Sequence, residues 1–161
     1  MVPILCIVGK SGVGKTSLLE RLVPELTRRG VRVGVVKHTA HMVEWDRPGS
    51  DTWRLQQAGS SVVVISGPGR LALTRQDTAE VSLESIAGLL AGRCDILLAE
   101  GYKGSSHPKI EVCRGGGPSS DIAGLVAVVS DDTLDVPLPR FSTTDVAGLA
   151  DLIQTRFLTK L

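Results

Sequence analysis

Aromatic residues are scarce in this chain of 161 residues, where phenylalanine, tryptophan and tyrosine together make up 3 %. Single-stranded nucleic acids are commonly held by stacking bases on aromatic rings. The formal net charge is only +1, whereas a broad polyanion-binding surface needs a larger excess of positive charge. We therefore expect no nucleic-acid partner, and any phosphate site has to be a local one.

Closely spaced cysteines and long apolar runs are lacking as well. The chain has three cysteines, Cys6, Cys94 and Cys113, which are too far apart for the close pairs of zinc sites and too odd in number for a disulfide framework. No apolar run approaches the roughly 20 residues of a membrane-spanning helix. The first residues also lack the basic start and cleavage signal of a secretory peptide. By elimination, we expect a cytoplasmic protein without membrane contact.

What the sequence does contain is an alternation of strand and helix patterns. The apolar run at 4–8 is typical of a buried parallel strand, apolar residues recur at helical spacing over 15–29, and residues 31–36 form a second β-rich run. This order predicts a βαβ unit. We expect an α/β fold of the phosphate-binding-loop NTPase type, with a mostly parallel sheet flanked by helices.

The middle of the chain departs from this alternation. Two short β-rich runs, 61–65 and 70–74, flank a turn sequence and predict a β-hairpin within an insertion at about 42–78. The remaining predicted elements are a helix at 82–90, strands at 95–99, 109–113 and 125–129, a loop at 114–120 and a last helix at 144–160. We expect a single domain over residues 1–161.

A glycine-rich loop between the first strand and the first helix matches G-x-x-x-x-G-K-[ST], the phosphate-binding pattern. Its residues are Gly9, Lys10, Ser11, Gly12, Val13, Gly14, Lys15 and Thr16, and Ser17 follows in the first helical turn. Glycines let successive backbone N–H groups face phosphate oxygens, and the helix dipole adds positive potential. The pattern predicts that Lys15 binds the β- and γ-phosphates and that Thr16 ligates Mg²⁺.

Polar residues follow the predicted strands, at the edge where ligands of parallel sheets bind. Glu100 is the candidate second magnesium ligand, with a solvated or capping carboxylate as the alternative. Lys37 either faces an anionic ligand or is a surface lysine. Asp131 either accepts the N1–H and amino group of guanine or is an ordinary loop acid.

Two further interpretations stay open. Lys10, directly after the first glycine, also marks the deviant phosphate loops of partner-dependent ATPases, where it reaches across a dimer, and a solvated lysine is the alternative. His38 and His41 with Asp46 have the residue types of a transition-metal site but no distinctive zinc spacing. Contacts with phosphate or with solvent are the alternatives for this loop.

Taken together, these motifs resemble the molybdopterin-guanine dinucleotide biosynthesis adapter family, MobB. The resemblance covers essentially the full length and adds Lys103 and Lys109 to the candidate residues at the ligand edge. The residues that carry the resemblance are the phosphate loop with residues 16–19, Lys37, His38, Thr39, Asp46, Pro48, Gly49, Asp51, Ala58, Gly59, residues 97–103, Lys109, Ile110 and residues 129–131.

The resemblance implies a homodimer that binds GTP with Mg²⁺ and hydrolyses it weakly at best. It also implies assistance to a separate guanylyltransferase that attaches GMP to molybdopterin, with molybdopterin itself or molybdoenzymes as further partners. The β-rich insertion is implied to contribute to dimer contacts. Guanine is implied by the resemblance alone, because the asparagine-lysine-x-aspartate signature of regulatory GTPases is absent.

Two other functions remain as alternatives. A partner-dependent switch ATPase is suggested by Lys10 and would dimerise when it binds nucleotide. A small-molecule kinase needs a lid of arginines around the transferred phosphoryl group. Arg93, Arg114 and Arg140 are too dispersed in the sequence to show such a lid.

Overall fold

The structure is a computed structural model, and it describes residues 1–39, 44–119 and 121–158. In chain order its elements are β1 (Ile4–Val8), α1 (Lys15–Arg28), β2 (Val33–Lys37), α2 (Asp51–Gln57), β3 (Val62–Gly67), β4 (Arg70–Arg75), α3 (Leu83–Leu89), β5 (Ile96–Glu100), β6 (Lys109–Val112), β7 (Leu125–Val129), β8 (Arg140–Phe141), α4 (Val146–Ile153) and a π-helical turn (Gln154–Leu158).

Residue contacts divide the chain into two units. The first consists of Met1–His38 with Leu83–Leu161, and the second is Thr39–Ser82. The second unit contains the predicted insertion at 42–78 and extends it by a few residues at each end. That the whole chain acts as one domain stays a prediction.

The first unit is built on a parallel sheet of six strands, counted over the residues that the structure describes. The strands lie in the order β2-β5-β1-β6-β7-β8, and every neighbouring pair is parallel. Strands β1 and β5 are buried along their whole length, which is why their sequences are unbroken apolar runs. The predicted α/β fold with a mostly parallel sheet is confirmed.

Helices cover both faces of this sheet. Leu5 and Ile7 of β1 belong to one core cluster together with buried residues of α1 and α4. Cys6 and Val8 point to the other face and cluster with Leu83 and its neighbours of α3. This alternation follows from the two-residue period of a strand.

Helix α1 is tied to α4 by one charged cluster. The Arg29 guanidinium donates to Glu25 Oε1 at 2.7 Å and to Gln154 Oε1 at 2.8 Å, and it also pairs with Asp151. Hydrogen bonds from Arg28 and Arg29 lower the pKa of Glu25 to about 2. The basic residues that close α1 in the sequence therefore have structural partners here.

The second unit contains the predicted hairpin. Strands β3 and β4 pair antiparallel from Val62 with Arg75 to Gly67 with Arg70, so the strands predicted at 61–65 and 70–74 are confirmed within two residues at each end. Helix α2 was not predicted from the sequence, since it is short and has no buried side chain. It begins at a cap in which the Ser50 hydroxyl accepts from the Trp53 N–H at 3.1 Å.

Other boundaries differ modestly from the sequence predictions. Strand β2 begins two residues later than expected, and β8 was not predicted because two residues carry no usable pattern. The last helix begins at Val146, capped by Asp145, whose carboxylate accepts from the Gly148 N–H at 3.0 Å. Its predicted end at Lys160, like Ser120 of the predicted loop, lies outside the described residues. Over the described ranges, no helix is both long and apolar enough to span a membrane.

Candidate phosphate-binding site

The loop at 9–16 has a backbone that glycine makes possible. Gly9, Gly12 and Gly14 have φ values of 140°, 74° and 105°, which side chains rarely tolerate. Gly9 is restricted a second time, because an added Cβ would lie 2.2 Å from the carbonyl oxygen of Val112 in β6. The loop therefore depends on its glycines for conformation and, at its start, for close packing against the sheet.

Helix α1 begins directly at the end of this loop. Its cap is Gly14, which has no side chain to accept the first N–H groups. Lys15, Thr16 and Ser17 form the start of the first turn, which carries no acidic residue. Unoccupied helix N–H groups and the helix dipole both favour an anion at this position.

The Lys15 ammonium group lies across the loop. Its Nζ donates to the carbonyl oxygens of Gly9 at 3.1 Å and of Lys10 at 2.8 Å. The ammonium group therefore lies against the backbone of the loop. Its contact with the β- and γ-phosphates stays a prediction.

Thr16, Glu100 and Lys37 meet beside the loop. The Thr16 hydroxyl lies 3.0 Å and 2.9 Å from the two carboxylate oxygens of Glu100. The Lys37 Nζ is 3.3 Å from the Thr16 hydroxyl and 3.2 Å from Glu100 Oε1. Three residues that are far apart in sequence thus form one polar cluster at the strand ends.

Sheet register explains this meeting. Glu100 is the last residue of β5, and it pairs in register with Ile7 of β1 on one side and with Lys37 of β2 on the other. Because β5 lies between β1 and β2, the carboxylate lies between the phosphate loop and the lysine. Its exposure is only 7 %.

The donor set fits a magnesium ion that is shared with phosphate. A threonine hydroxyl and a carboxylate are hard oxygen ligands, and Mg²⁺ typically takes one or two of these and completes its shell with water and phosphate oxygens. Within residues 1–39, 44–119 and 121–158, no three His, Cys, Asp or Glu side chains are grouped as metal ligands. The Thr16 hydroxyl and the Glu100 carboxylate would thus leave most of the shell of such a cation to water and phosphate oxygens.

His38 lies at the same strand end. Its N–H donates to the carbonyl oxygen of Glu100 at 2.9 Å, and its ring lies 5.0 Å from the ring of Tyr102 between centroids. Tyr102 has a φ of 58°, a left-handed conformation that is uncommon outside glycine and is often found at functional sites. His41, the second histidine of this loop, lies outside the described residues.

Asp131 has a different set of partners. Its two carboxylate oxygens accept from the backbone N–H and the hydroxyl of Thr143, each at 2.7 Å. These hydrogen bonds lower the pKa of Asp131, with smaller contributions from the charges of Arg114 and Arg21. The structure thus uses this acid to join the end of β7 to the segment after β8, and its guanine contact stays a prediction.

The structure does not bring Lys103 and Lys109 into the cluster around Thr16. Lys103 pairs with Asp121 at 2.7 Å. Lys109 begins β6 rather than ending it, and its exposure is 1 %. Its ammonium group is held by the carbonyl oxygens of Ser105, His107 and Ala123. It therefore stabilises loops at the opposite end of its strand from the ligand edge.

Asp46 belongs to the second unit, where it organises the start of α2. It accepts from the Arg47 N–H at 2.8 Å and from the Ser50 hydroxyl at 3.0 Å. Hydrogen bonds, chiefly from Thr52, lower its pKa. Lys10 has an exposed side chain, and its carbonyl oxygen is the partner of Lys15.

Glu111 does not stand out in the sequence, yet it is a buried acid next to the phosphate loop. It lies on β6 with 3 % exposure and pairs in register with Val8, the residue that precedes the loop. The signal was present in residues 109–112, where charged and apolar residues alternate within a strand that is wholly buried. A charged side chain on a buried strand needs a partner.

Comparison with known proteins agrees with the fold and the motifs. The family model described as MobB, molybdopterin guanine dinucleotide synthesis protein B, matches residues 4–131. The molybdopterin-guanine dinucleotide biosynthesis adapter protein of Escherichia coli is 35 % identical over 95 % of this chain and 92 % of its own length. The adapter protein of the same name from Haemophilus influenzae is 36 % identical over 95 % of this chain and 88 % of its own.

Solved structures show the same likeness in three dimensions. The crystal structure of Bacillus subtilis MobB superimposes with a TM-score of 0.77 at 28 % identity, covering 96 % of this chain and 98 % of that one. A MobB homologue from Bacillus stearothermophilus gives a TM-score of 0.72 at 28 % identity, covering 95 % and 99 %.

Proposed function

The chain belongs to the MobB family, and on this premise we propose that it is an adapter in molybdopterin-guanine dinucleotide biosynthesis that binds GTP with Mg²⁺ in its phosphate loop. The observation that carries the proposal is the cluster of Thr16, Glu100 and Lys37 beside the loop. A glycine-rich turn alone supplies anion binding. The added hydroxyl, carboxylate and ammonium groups supply what a phosphate with a divalent cation needs.

Each side chain has a distinct task in this proposal. The Lys15 ammonium exchanges its two carbonyl partners for β- and γ-phosphate oxygens. The Thr16 hydroxyl and the Glu100 carboxylate hold the cation directly or through water, and Lys37 balances the negative charge of Glu100. When bound, Mg²⁺ neutralises charge on the phosphates and fixes their orientation.

The same contacts favour a nucleotide-binding adapter over a fast hydrolase. Rapid hydrolysis needs a group that positions the attacking water. Among the described residues, the buried acids beside the loop are Glu100, which is engaged by Thr16 and Lys37, and Glu111, which accepts from the Ser119 N–H. We infer weak GTP hydrolysis at most, with nucleotide binding rather than turnover serving a guanylyltransferase in the cytoplasm. Molybdopterin or a molybdoenzyme is a further partner in this proposal.

The hairpin supports the proposal that the protein is a homodimer. Val62 and Val64 of β3 lie on the same face of the hairpin as Leu71 and Leu73 of β4. These side chains are exposed at 40 %, 50 %, 68 % and 55 %. Exposed apolar clusters of this kind mark interaction surfaces. A second copy of the same hairpin would cover them, as the family resemblance implies.

Binding titrations with and without the guanylyltransferase test the function. We expect GTP to bind in the presence of Mg²⁺, and we expect the protein to increase dinucleotide formation by the transferase without consuming GTP alone. Phosphoryl transfer to a small acceptor would instead identify a kinase. A preference for ATP together with nucleotide-dependent dimerisation would identify a switch ATPase.

A further inference from the structure

A cavity of about 240 Å³ opens beside the phosphate loop. It is lined by Lys10 and Val13 of the loop, by the end of β6, and by the glycine-rich segment that follows it. The lining residues after β6 are Cys113, Arg114, Gly115, Gly116, Gly117 and Ser119. The proposed contacts with magnesium and phosphate do not use this cavity.

Glu111 is the acid that lines this cavity. Its side chain is buried, and Oε2 accepts from the Ser119 N–H at 2.9 Å. A carboxylate has about four positions for accepting hydrogen bonds. Within the described residues, the Ser119 N–H is the donor found for Glu111. A buried carboxylate with one backbone partner retains acceptor capacity that a ligand can use.

Basic side chains complete the lining. Lys10 and Arg114 bring positive charge to the cavity, and the charge of Arg114 also contributes to lowering the pKa of Asp131. Gly115 is held in place, because its N–H donates to Asp132 Oδ2 at 2.6 Å. The cavity therefore combines one buried acceptor with two basic side chains.

This combination fits a planar heterocycle that presents donors and an acceptor on one edge. A 2-amino-4-oxopyrimidine ring has an N–H and an amino group side by side, followed by a carbonyl oxygen. Glu111 can accept from the first two, while a basic group or backbone N–H donates to the third. The volume is below the usual 300–1,000 Å³ of pockets for drug-sized ligands, which favours a single fused ring system.

We propose that this cavity binds a 2-amino-4-oxopyrimidine heterocycle, with Glu111 as the acceptor of its ring N–H and amino group. The proposal rests on the proposed function, since the adjacent phosphate loop anchors the rest of the ligand. Two sources share this chemistry, namely the guanine of GTP and the pterin of molybdopterin. Asp131, the acid suggested by its position after β7, has both oxygens bonded to Thr143.

Nucleotide and pterin analogues test the proposal with the full chain. Glu111→Gln keeps the shape of the side chain but replaces one accepting oxygen by a donating amino group. Inorganic tripolyphosphate reports on the phosphate loop alone, ITP lacks the amino group of GTP, and lumazine replaces the amino group of pterin by a carbonyl. Asp131→Asn tests the competing acid in the same assays.

If guanine occupies the cavity, Glu111→Gln lowers the ratio of GTP to ITP affinity by about tenfold and leaves tripolyphosphate binding unchanged. Asp131→Asn then leaves the ratio of GTP to ITP affinity unchanged. If the pterin occupies it, Glu111→Gln keeps the GTP to ITP ratio but removes the preference for 6-methylpterin over lumazine. The proposal is overturned if Glu111→Gln changes neither the GTP to ITP ratio nor the preference for 6-methylpterin over lumazine. It is also overturned if Asp131→Asn lowers the GTP to ITP ratio and Glu111→Gln does not.

Two further variants separate the possible failures. If the phosphate loop works as proposed, Lys15→Ala abolishes tripolyphosphate binding. Unchanged tripolyphosphate binding in this variant would contradict the proposed function, whatever the result for Glu111. If Glu111→Gln does not fold, Glu111→Asp keeps the charge on β6 and withdraws the carboxylate from the cavity by one methylene group. We expect it to lower GTP or pterin affinity at least tenfold with tripolyphosphate affinity unchanged, and unchanged affinity for both heterocycles would overturn the proposal.

Discussion

The ends of β5 and β7 look alike in sequence but differ in what they do. Each strand has a buried apolar run that leads to an acid, which is Glu100 as the last residue of β5 and Asp131 two residues after β7. Glu100 contacts Thr16 of the phosphate loop, whereas Asp131 is bonded to Thr143. Position at the carboxyl end of a strand is therefore not sufficient for a place in the site.

Strand order explains the difference. Strand β5 is the direct neighbour of β1, which carries the phosphate loop, while β6 separates β7 from β1. Neighbouring strands lie roughly 4.8 Å apart, so a side chain at the end of β5 reaches the loop and one at the end of β7 has another strand between. The acid that lies on the intervening strand is Glu111.

The largest effect is expected where the loop itself is changed. Lys15→Ala removes the ammonium group that lies over the loop, and a charge-assisted contact with phosphate is lost without replacement. We expect triphosphate affinity to fall about 100-fold or more, measured by calorimetry. Lys103→Ala removes a more exposed lysine that pairs with Asp121 and should leave affinity unchanged. Equal affinities for wild type and Lys15→Ala would show that phosphate binds elsewhere.

Glu100→Gln tests the β5 side of the comparison directly. The amide keeps the shape of the side chain but removes the charge that would hold Mg²⁺. We expect about a tenfold higher magnesium concentration at half-saturation of GTP binding. The matched Asp131→Asn variant should leave the magnesium titration unaltered. If both variants shift the titration equally, the proposed division between the two strand ends is wrong.

Asp131→Asn tests the β7 side through stability and base preference. Because both oxygens of Asp131 are bonded to Thr143, we expect its replacement to lower Tm by roughly 2 °C, measured by thermal unfolding. Thr143→Val removes the hydroxyl partner and should act in the same direction. A contact between Asp131 and guanine would, in addition, narrow the gap between GTP and ATP affinity in Asp131→Asn but not in Thr143→Val. A gap that is unchanged in both variants would reject the guanine contact.

The smallest effect is expected in the pH dependence of this same acid. Hydrogen bonds from Thr143 lower the pKa of Asp131 in the folded protein, so its ionised form stabilises the fold. That contribution is complete above the pKa of the unfolded state, about 3.9, and is lost as the pH falls through the lower folded value. The stability difference between wild type and Asp131→Asn should shrink between pH 7 and pH 3. A constant difference would show that charge plays no part.

Much of the fold and the centre of the site could be predicted from residue order. The phosphate loop was recognisable because its function needs glycines, a lysine and a hydroxyl at fixed spacing on consecutive residues. Buried parallel strands are unbroken apolar runs, so β1, β5 and β7 were placed closely. Helix α2 and strand β8 were not predicted, because a seven-residue capped helix and a two-residue strand leave no periodicity to detect.

The residues that sequence reasoning placed less well have partners that the sequence pattern does not specify. Lys109 and Glu111 lie on the same strand with alternating apolar neighbours, yet one is held by three carbonyl oxygens and the other lines a cavity beside the loop. Lys109 bonds to Ser105 and His107 just before it and to Ala123 further on, whereas Glu111 accepts from Ser119. Both side chains leave the same face of β6, so their position along the strand, away from or beside the phosphate loop, decides their partners.

By itself the sequence determined the local chemistry of this protein: a turn of glycines that exposes backbone N–H groups, and the apolar runs that must be buried. Only the tertiary structure decided which strand-end acid joins that turn, because strand order, and not chain order, sets which side chains lie within hydrogen-bonding distance. Glu100 follows Thr16 by 84 residues, and the parallel pairing of β5 with β1 brings their oxygens to 2.9 Å.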